Sequence, residues 1–307
     1  MISNVSGSTD KFLADLDRIQ SATDRAQREI TSGLKVEVPS DAPDEIRSIL
    51  QLRAEIQRNT QIQTNLTTAK TDVQSGDTAV QSAIQILDRA SVLGTQGAGS
   101  TSTADQRASM AQEVGQLLDS LVSLSRTTVG GRYIFSGDQE NLPSYALDSS
   151  SPTGVNRLLA SPANTRQIQG VDGLTFGIAL TAQDVFDRRN ADDTPAGDNV
   201  FAAVNALQTA LQNNDEAGIQ SAMQSVQAAS SHLNSQLVFY GTAENRIKDA
   251  LDQASHMETQ ENTALSQEVD ADIAAASTEL ALNNTHQQAA LAARSKLPQT
   301  TLFDFLA

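Results

Sequence analysis

The sequence predicts a mainly α-helical protein with a small β-rich insert, and three observations carry this. The seven prolines stand at 39, 43, 143, 152, 162, 195 and 298, which leaves the windows 44–142 and 196–297 free of them. A proline inside a helix costs ~3 kcal/mol, so proline-free windows of this length are what long helices require. Apolar residues in both windows recur at alternating steps of four and three. Between the windows lies a segment with four prolines and a local excess of Gly, Asp and Asn, which reads as turns and short strands.

In the first helix Phe12, Leu16, Ile19, Thr23, Ala26 and Ile30 form the apolar seam, and the stretch from Gly33 to Pro43 breaks it. Asp41 or Ala42 is expected to cap a second helix, with Pro43 at its first position. After a phase slip near Asn59 the seam runs Ile62, Leu66, Ala69, Val73, Gly76, Val80, Ala83, Leu87 and Ala90. Gly94, Gly97 and Gly99 read as a loop between helices; no Lys-Ser or Lys-Thr follows, so they do not form a phosphate loop. A third helix starts near Thr103, where Thr103 and Gln106 fit a capping box, and it shows Met110, Val114, Leu117, Leu121 and Leu124. The second window repeats the pattern with Ile219, Met223, Val226, Ser230, Leu233 and Leu237. Ile247, Leu251 and Ala254 follow, then Val269, Ile273, Ala276 and Leu280. A sustained repeat of this kind makes helices coil around partners. The seams are narrow and rich in small residues, so each helix needs a partner in its own chain or in a neighbour.

The middle segment has a different texture. RYIF alternates at strand propensity and is flanked by glycines that allow a sharp exit from the preceding helix. RQIQGVDGLTFGIAL, residues 166–180, reads as two strands around the turn Asp172-Gly173. Residues 131–198 are therefore expected to form the insert.

Composition excludes several functions. The chain has 307 residues, enough for two or three domains, with 39% apolar residues, 4% aromatics and no Trp. That suits thin cores between helices. There is no Cys, so disulfides and thiolate chemistry are absent. His232, His256 and His286 lack metal-ligand spacing and read as solvated helix residues. A net charge of −16 argues against nucleic acid and anionic membranes as partners. No run of 18 apolar residues exists, and MISNVSGSTDKFLADL lacks the basic start and apolar stretch of a signal peptide. This predicts a cytoplasmic protein or one exported without cleavage. Enzyme motifs are missing: Asp270 and Asp272 diverge on a helix, and Asp41, Asp44 and Glu45 read as charges favoured by a helix N-terminus. The reading is a structural or assembly protein with no catalytic, cofactor or metal residues.

ITSGLKVEVPSDAP, residues 30–43, resembles the N-terminal motif of the bacterial flagellin family, where a helix ends in a Ser-Gly-Leu turn before an Asp-rich loop. The matching residues are Ser32, Gly33, Leu34, Ser40, Asp41 and Ala42. GTAENRIKDAL (241–251), with its Asn245-Arg246 pair, VDADIAAASTEL (269–280) and SKLPQTTLFDFL (295–306) resemble the family's C-terminal part. Both ends match in order, over about half of the chain. Within the family, Tyr133, Ile134, Phe135, Ser136 and Gly137 of GGRYIFSG are similar to the corner of the members at the hook–filament junction. The ending Leu302-Phe303-Asp304-Phe305-Leu306 and the pattern Asp172-Gly173 before Asp184-Val185-Phe186 lean the same way.

The resemblance implies a long antiparallel coiled-coil helical bundle built from both chain ends. Residues 1–40 with 262–307 would form the terminal assembly region, 41–130 with 199–261 a helical rod, and 131–198 a β-rich outer domain. It implies a structural subunit joining the hook region to the flagellin filament by helical polymerisation. Flagellin itself and a cytoplasmic coiled-coil adaptor are the alternatives. The implied partners are copies of the chain in a helical ring, another hook-associated protein on the hook side, flagellin on the filament side, the flagellar export apparatus and a chaperone. The implied location is extracellular, in the flagellum, reached without a cleaved signal. The assembly seam would comprise Phe12, Leu16, Ile19, Ile30, Ile273, Leu280, Leu302, Phe303, Phe305 and Leu306. Both ends are expected to be disordered in the free monomer and to fold on assembly. Tyr133 and Phe135 are expected to pack at a helix–strand corner rather than to bind anything.

Overall fold

A computed structural model describes residues 2–159 and 165–295 of the chain. It opens with helices α1 (Ile2–Ser32), α2 (Ile46–Ala98) and α3 (Ala104–Ser125). Six short strands follow: β1 (Thr128–Val129), β2 (Arg132–Tyr133), β3 (Tyr145–Leu147), β4 (Val155–Arg157), β5 (Gln167–Gln169) and β6 (Thr175–Gly177). Helices α4 (Ala182–Val185), α5 (Val200–Gln212), α6 (Glu216–Val269) and α7 (Ile273–Ser295) complete it. The mainly α class with a small β region in the middle is what the periodicity predicts. The chain divides into two compact units, Met1–Arg58 with Met257–Ala307, and Asn59–His256.

In the terminal unit α1 and α7 pair antiparallel. The predicted seam is the least exposed stripe of α1: Ala26 is buried, and Phe12, Leu16, Ile19, Thr23 and Ile30 are half-buried. On α7 the matching stripe is Ala276, Leu280, Asn283, Gln287, Ala290 and Arg294, again in steps of four and three. Helix α1 ends at Gly33, whose φ of +74° lets its N–H reach back to the Glu29 carbonyl at 2.9 Å. Leu34 then forms an antiparallel bridge with Asp270, and the N–H groups of Lys35 and Ala271 donate to Val269 and Gly33 carbonyls at 2.8 and 2.9 Å. Val36, Ile49 and Val269 form a small core there, with Leu34, Ala42 and Leu265 packed on it.

The start of α2 corrects the sequence reading. The helix begins at Ile46, not at Pro43. Asp41 does not cap forward. Its carboxylate accepts the N–H groups of Glu37 and Val38 at 3.0 and 2.9 Å, which closes the loop behind it. Those two bonds hold its carboxyl below the usual carboxylate range. Glu45 and Ile46 both donate to the Ala42 carbonyl at 3.1 Å, so a tight turn separates the proline from the regular helix.

In the central unit the long seam of α2 is fully buried from Leu66 to Ala90, with Ile62 half-buried ahead of it. Gly94 and Gly97 are a second correction: they lie inside α2 and continue the seam by steps of four and three. A Cβ on Gly97 would stand 2.3 Å from Leu211 Cδ2, one on Gly94 would stand 2.9 Å from Met223 Cγ, and one on Gly76 would stand 2.5 Å from Tyr240 Cε1. These glycines are sockets for large side chains of α5 and α6, and the α2–α3 turn starts only at Gly99. Helix α3 opens with the predicted Thr103–Gln106 capping box. Its fully buried stripe is Arg107, Ala111, Val114, Leu118, Leu121 and Ser125, which includes Val114 and Leu121 of the predicted seam, while the other predicted residues, Met110, Leu117 and Leu124, are half-buried. Helix α6 buries Ile219, Val226, Leu233, Ile247 and Ala254 as predicted, together with Ala222, Ala229, Tyr240 and Ala243.

The strands make three separate two-stranded antiparallel sheets. The hairpin β5–β6 turns at Asp172-Gly173 as predicted, with Gly173 at φ +83°. RYIF departs from the alternating reading. Only Arg132 and Tyr133 pair as strand, across a turn made by Gly130 and Gly131 at φ +58° and +80°. Ile134, Phe135 and Ser136 are buried in succession, so the chain turns into the core instead of running along a sheet.

Candidate assembly interface

The terminal helix pair carries two polar clamps. Arg25 pairs with Glu279 at 2.7 Å. Near the other end Arg294 Nη2 donates to Thr9 Oγ1 at 2.9 Å, and its guanidinium lies 5.5 Å from the centre of the Phe12 ring. Between the clamps little is sealed. Among the described residues Ala26 is the only fully buried side chain of α1, and Ala276 and Asn283 are the only ones of α7. Of the residues expected in the seam, Phe12, Leu16, Ile19, Ile30 and Leu280 are half-buried on facing stripes, while Ile273 is 43% exposed. Leu13, Leu282 and Leu291 are each about half exposed. Leu302, Phe303, Phe305 and Leu306 lie outside the described residues.

The corner of the central unit is a packing node. Phe135 meets Phe186 edge-on with ring centres 5.5 Å apart; Phe186 stacks on Phe201 at 5.8 Å; Tyr145 lies 5.2 Å from Phe201. Ser136 Oγ donates to the Leu142 carbonyl at 2.7 Å and lies 2.9 Å from Ser144 Oγ. Gly137 takes a φ of +62°, and Ala182 N–H donates to the Phe135 carbonyl at 2.7 Å. Tyr133 and Ile134 flank this node, half-buried and buried. Beneath it the buried carboxylate of Asp187 accepts from Tyr145 Oη at 2.9 Å, Arg189 Nε at 2.8 Å and Asn199 Nδ2 at 2.6 Å. Burial pushes the Tyr145 hydroxyl well above its ordinary pKa, and the Asp187 charge adds to the shift.

Three polar groups escaped the sequence reading. Arg107 is buried and donates to the Gly97 and Gly99 carbonyls, to Asn214 Oδ1 and to Glu216 Oε1, tying the α2–α3 turn to the α5–α6 turn. Asp72, on the flank of α2, is bridged by Arg166 at 3.0 Å and Arg132 at 3.6 Å, and both arginines also reach Glu140. His232 is not solvated: its Nε2 lies 2.8 Å from the Asp184 carbonyl, so that nitrogen carries the proton and Nδ1 faces Gln236 at 3.4 Å. His256 and His286 are exposed. No spacing rule marks these three residues, because their partners come from distant parts of the chain.

Comparison with known proteins follows the same outline. The profile of the bacterial flagellin N-terminal helical region matches residues 4–140, and that of the bacterial flagellin C-terminal helical region matches residues 216–306. No curated protein matches the chain. Among solved structures, a protein of Vibrio parahaemolyticus named as a flagellar hook-associated protein is similar at 20% identity, covering 75% of this chain and 100% of its own, with a TM-score of 0.65. FlgL of Bacillus cereus is similar at 17% identity over 73% of this chain and 99% of its own, with a TM-score of 0.55. The flagellar junction protein FlgL from Legionella pneumophila is similar at 13% identity over 66% of this chain and 100% of its own, with a TM-score of 0.55. At these identities the likeness is one of fold.

Proposed function

The chain belongs to the bacterial flagellin family, and from that premise we propose that it is the structural subunit joining the hook region to the flagellin filament. The observation that carries this reading is that the shared fold spans 99% and 100% of the two FlgL chains. The GGRYIFSG corner and the Leu302–Leu306 ending support it from the sequence side. On this reading copies of the chain polymerise helically into a short zone. One end of the zone meets another hook-associated protein and the other meets flagellin. The chain reaches this place through the flagellar export apparatus, held beforehand by a chaperone. A chain without disulfides is suited to being threaded unfolded.

The terminal pair would supply the switch from soluble chain to assembled subunit. Its seam seals few side chains, and helices this weakly packed are marginal in water. Pairing with neighbouring copies would bury the exposed leucines, at ~25 cal/mol per Å² before ordering costs. The central unit has its own large core and, once folded, would stay folded while the terminal pair assembles.

A second reading, the bulk filament subunit, is favoured by the two flagellin profiles themselves. Copy number separates the two. Quantitative mass spectrometry of isolated flagella should find this chain in a few turns' worth of copies, far below the main filament protein. Equal or dominant abundance would make it the filament subunit.

A further inference from the structure

Resting on the assembly reading above, we propose that the ridge of α6 around Val238 and Gly241 in one copy seats in the groove between α2 and α3 of the next copy. Val238 is 68% exposed, the most exposed large apolar side chain on any helix among the described residues. Gly241 stands one turn further along the same ridge. A Gly inside a helix gives up stability against Ala, so its presence needs a reason. For Gly76, Gly94, Gly97, Gly115 and Gly218 the reason lies within the chain, since a Cβ there would stand 2.3–2.9 Å from a side chain. A Cβ on Gly241 would meet nothing within 4 Å. The gap beside Val238 is open to another molecule. The ridge is also uncharged: between Glu216 and Glu244 the sequence holds no Asp, Glu, Lys or Arg, although an exposed helix face ordinarily carries them. Ser231, Ser235, Val238 and Thr242 follow one another by four, three and four, and the three hydroxyls donate to carbonyls four residues back.

The groove between α2 and α3 has matching chemistry. Half-buried Ile86, Leu117 and Leu124 line it. On the α2 wall Thr71, Ser75, Thr78 and Ser82 each donate a hydroxyl to the carbonyl four residues back. On the α3 wall Ser120 and Ser123 do the same. Covering such hydroxyls leaves no donor unpaired, so their desolvation costs little. The charged residues along the groove are Asp119 and Arg89, and Arg89 is paired with Glu113 at 2.6 Å. Two chains that each carry a net charge of −16 repel over most of their surface. They can approach where carboxylates are sparse, and the cores of interfaces are depleted in charge in this way. A helix ridge with one apolar knob entering a groove with apolar lining is a recurrent mode of recognition. Ridge and groove share no residue, so each copy offers its ridge to one neighbour and its groove to another. Such a heterologous contact builds a row of copies rather than a closed pair.

Cysteine cross-linking in isolated flagella tests this, because the chain has no Cys of its own. Val238→Cys and Ser120→Cys are placed together in the full chain, and each is placed alone as a control. Oxidation should give the double variant a ladder of covalent multimers on a denaturing gel and leave both single variants monomeric. Gly241→Leu in the double variant fills the gap and should cut the ladder about tenfold, while the thermal melt of the free chain does not fall. Flagella that contain the double variant but yield no ladder overturn the proposal and leave the flagellar reading standing. Dimers from either single variant mean a two-fold contact, which overturns it as well. A ladder that Gly241→Leu leaves unchanged overturns the seating of the ridge at that gap. If the chain is absent from flagella, the flagellar reading fails, and this contact falls with it.

Discussion

Tyr145 donates its phenolic hydrogen to Asp187 at 2.9 Å, and Asp187 has no exposed surface. The bond ties strand β3 to the segment after α4, directly under the Phe135–Phe186 contact. Tyr145→Phe keeps the ring on Phe201 but leaves a buried carboxylate one donor short. The expected loss is about 1–3 kcal/mol in the unfolding free energy of the central unit. Denaturant melts of the two proteins, compared at constant slope, measure it.

Tyr145 and Tyr240 also set an alkaline limit. Burial is the largest cause of the upward shift in both, and for Tyr145 the Asp187 charge comes next. A pKa raised in the folded state means that the folded chain holds the proton more tightly than the unfolded one. The stability this brings is fully present below the ordinary tyrosine value of 10.0 and is lost as pH rises beyond it. Melting temperature should therefore fall steeply above that value, and Tyr145→Phe with Tyr240→Phe should flatten the fall. An unchanged slope in the double variant would remove these residues as its cause.

Gly76 and Gly241 make a paired comparison within long helices. A Cβ on Gly76 would press 2.5 Å from the buried Tyr240 ring, whereas one on Gly241 would meet nothing within 4 Å. Gly76→Ala should destabilise by about 1–3 kcal/mol through overpacking. Gly241→Ala should stabilise by about 0.5–1 kcal/mol through helix propensity. Thermal melts of both variants decide, and two changes of the same sign would contradict the account.

The terminal seam is predicted to act in assembly and not in the folding of the central unit. Leu302→Asp or Phe305→Asp should abolish incorporation into flagella, and cells carrying either should lose motility. The near-native circular dichroism melt of the central unit should survive. A variant that still builds motile filaments would show that the C-terminal end is dispensable for assembly.

Hydrogen exchange addresses the same seam in the free chain. Amides of α1 and α7 should exchange with protection factors below about 10², and those of α2 and α6 around Val80 and Val226 with protection near the global limit. Strong protection of α1 and α7 in the monomer would mean that the pair does not wait for neighbours.

Much of the fold was legible because α2 and α6 repeat Leu, Val, Ile and Ala at heptad spacing, a signal that needs no tertiary knowledge. The failures share one cause. Gly94 and Gly97 carry a local loop signal, but their role as sockets for Met223 and Leu211 depends on helices far along the chain. Pro43 and Asp41 look like a helix start, but the Asp41 carboxylate finds the N–H groups behind it. RYIF has strand propensity, yet Phe135 is drawn into an aromatic cluster with Phe186 and Phe201. His232 and Arg107 are polar residues whose burial no periodicity announces. Of the candidate interface, the α1 stripe was readable from Phe12 to Ile30.

The junction role is tested most directly by gold-labelled antibody against residues 131–198, viewed on intact cells by electron microscopy. The account predicts a single band of label between hook and filament. Label along the whole filament would make the chain a filament subunit, and label confined to the cytosol would contradict the flagellar account altogether.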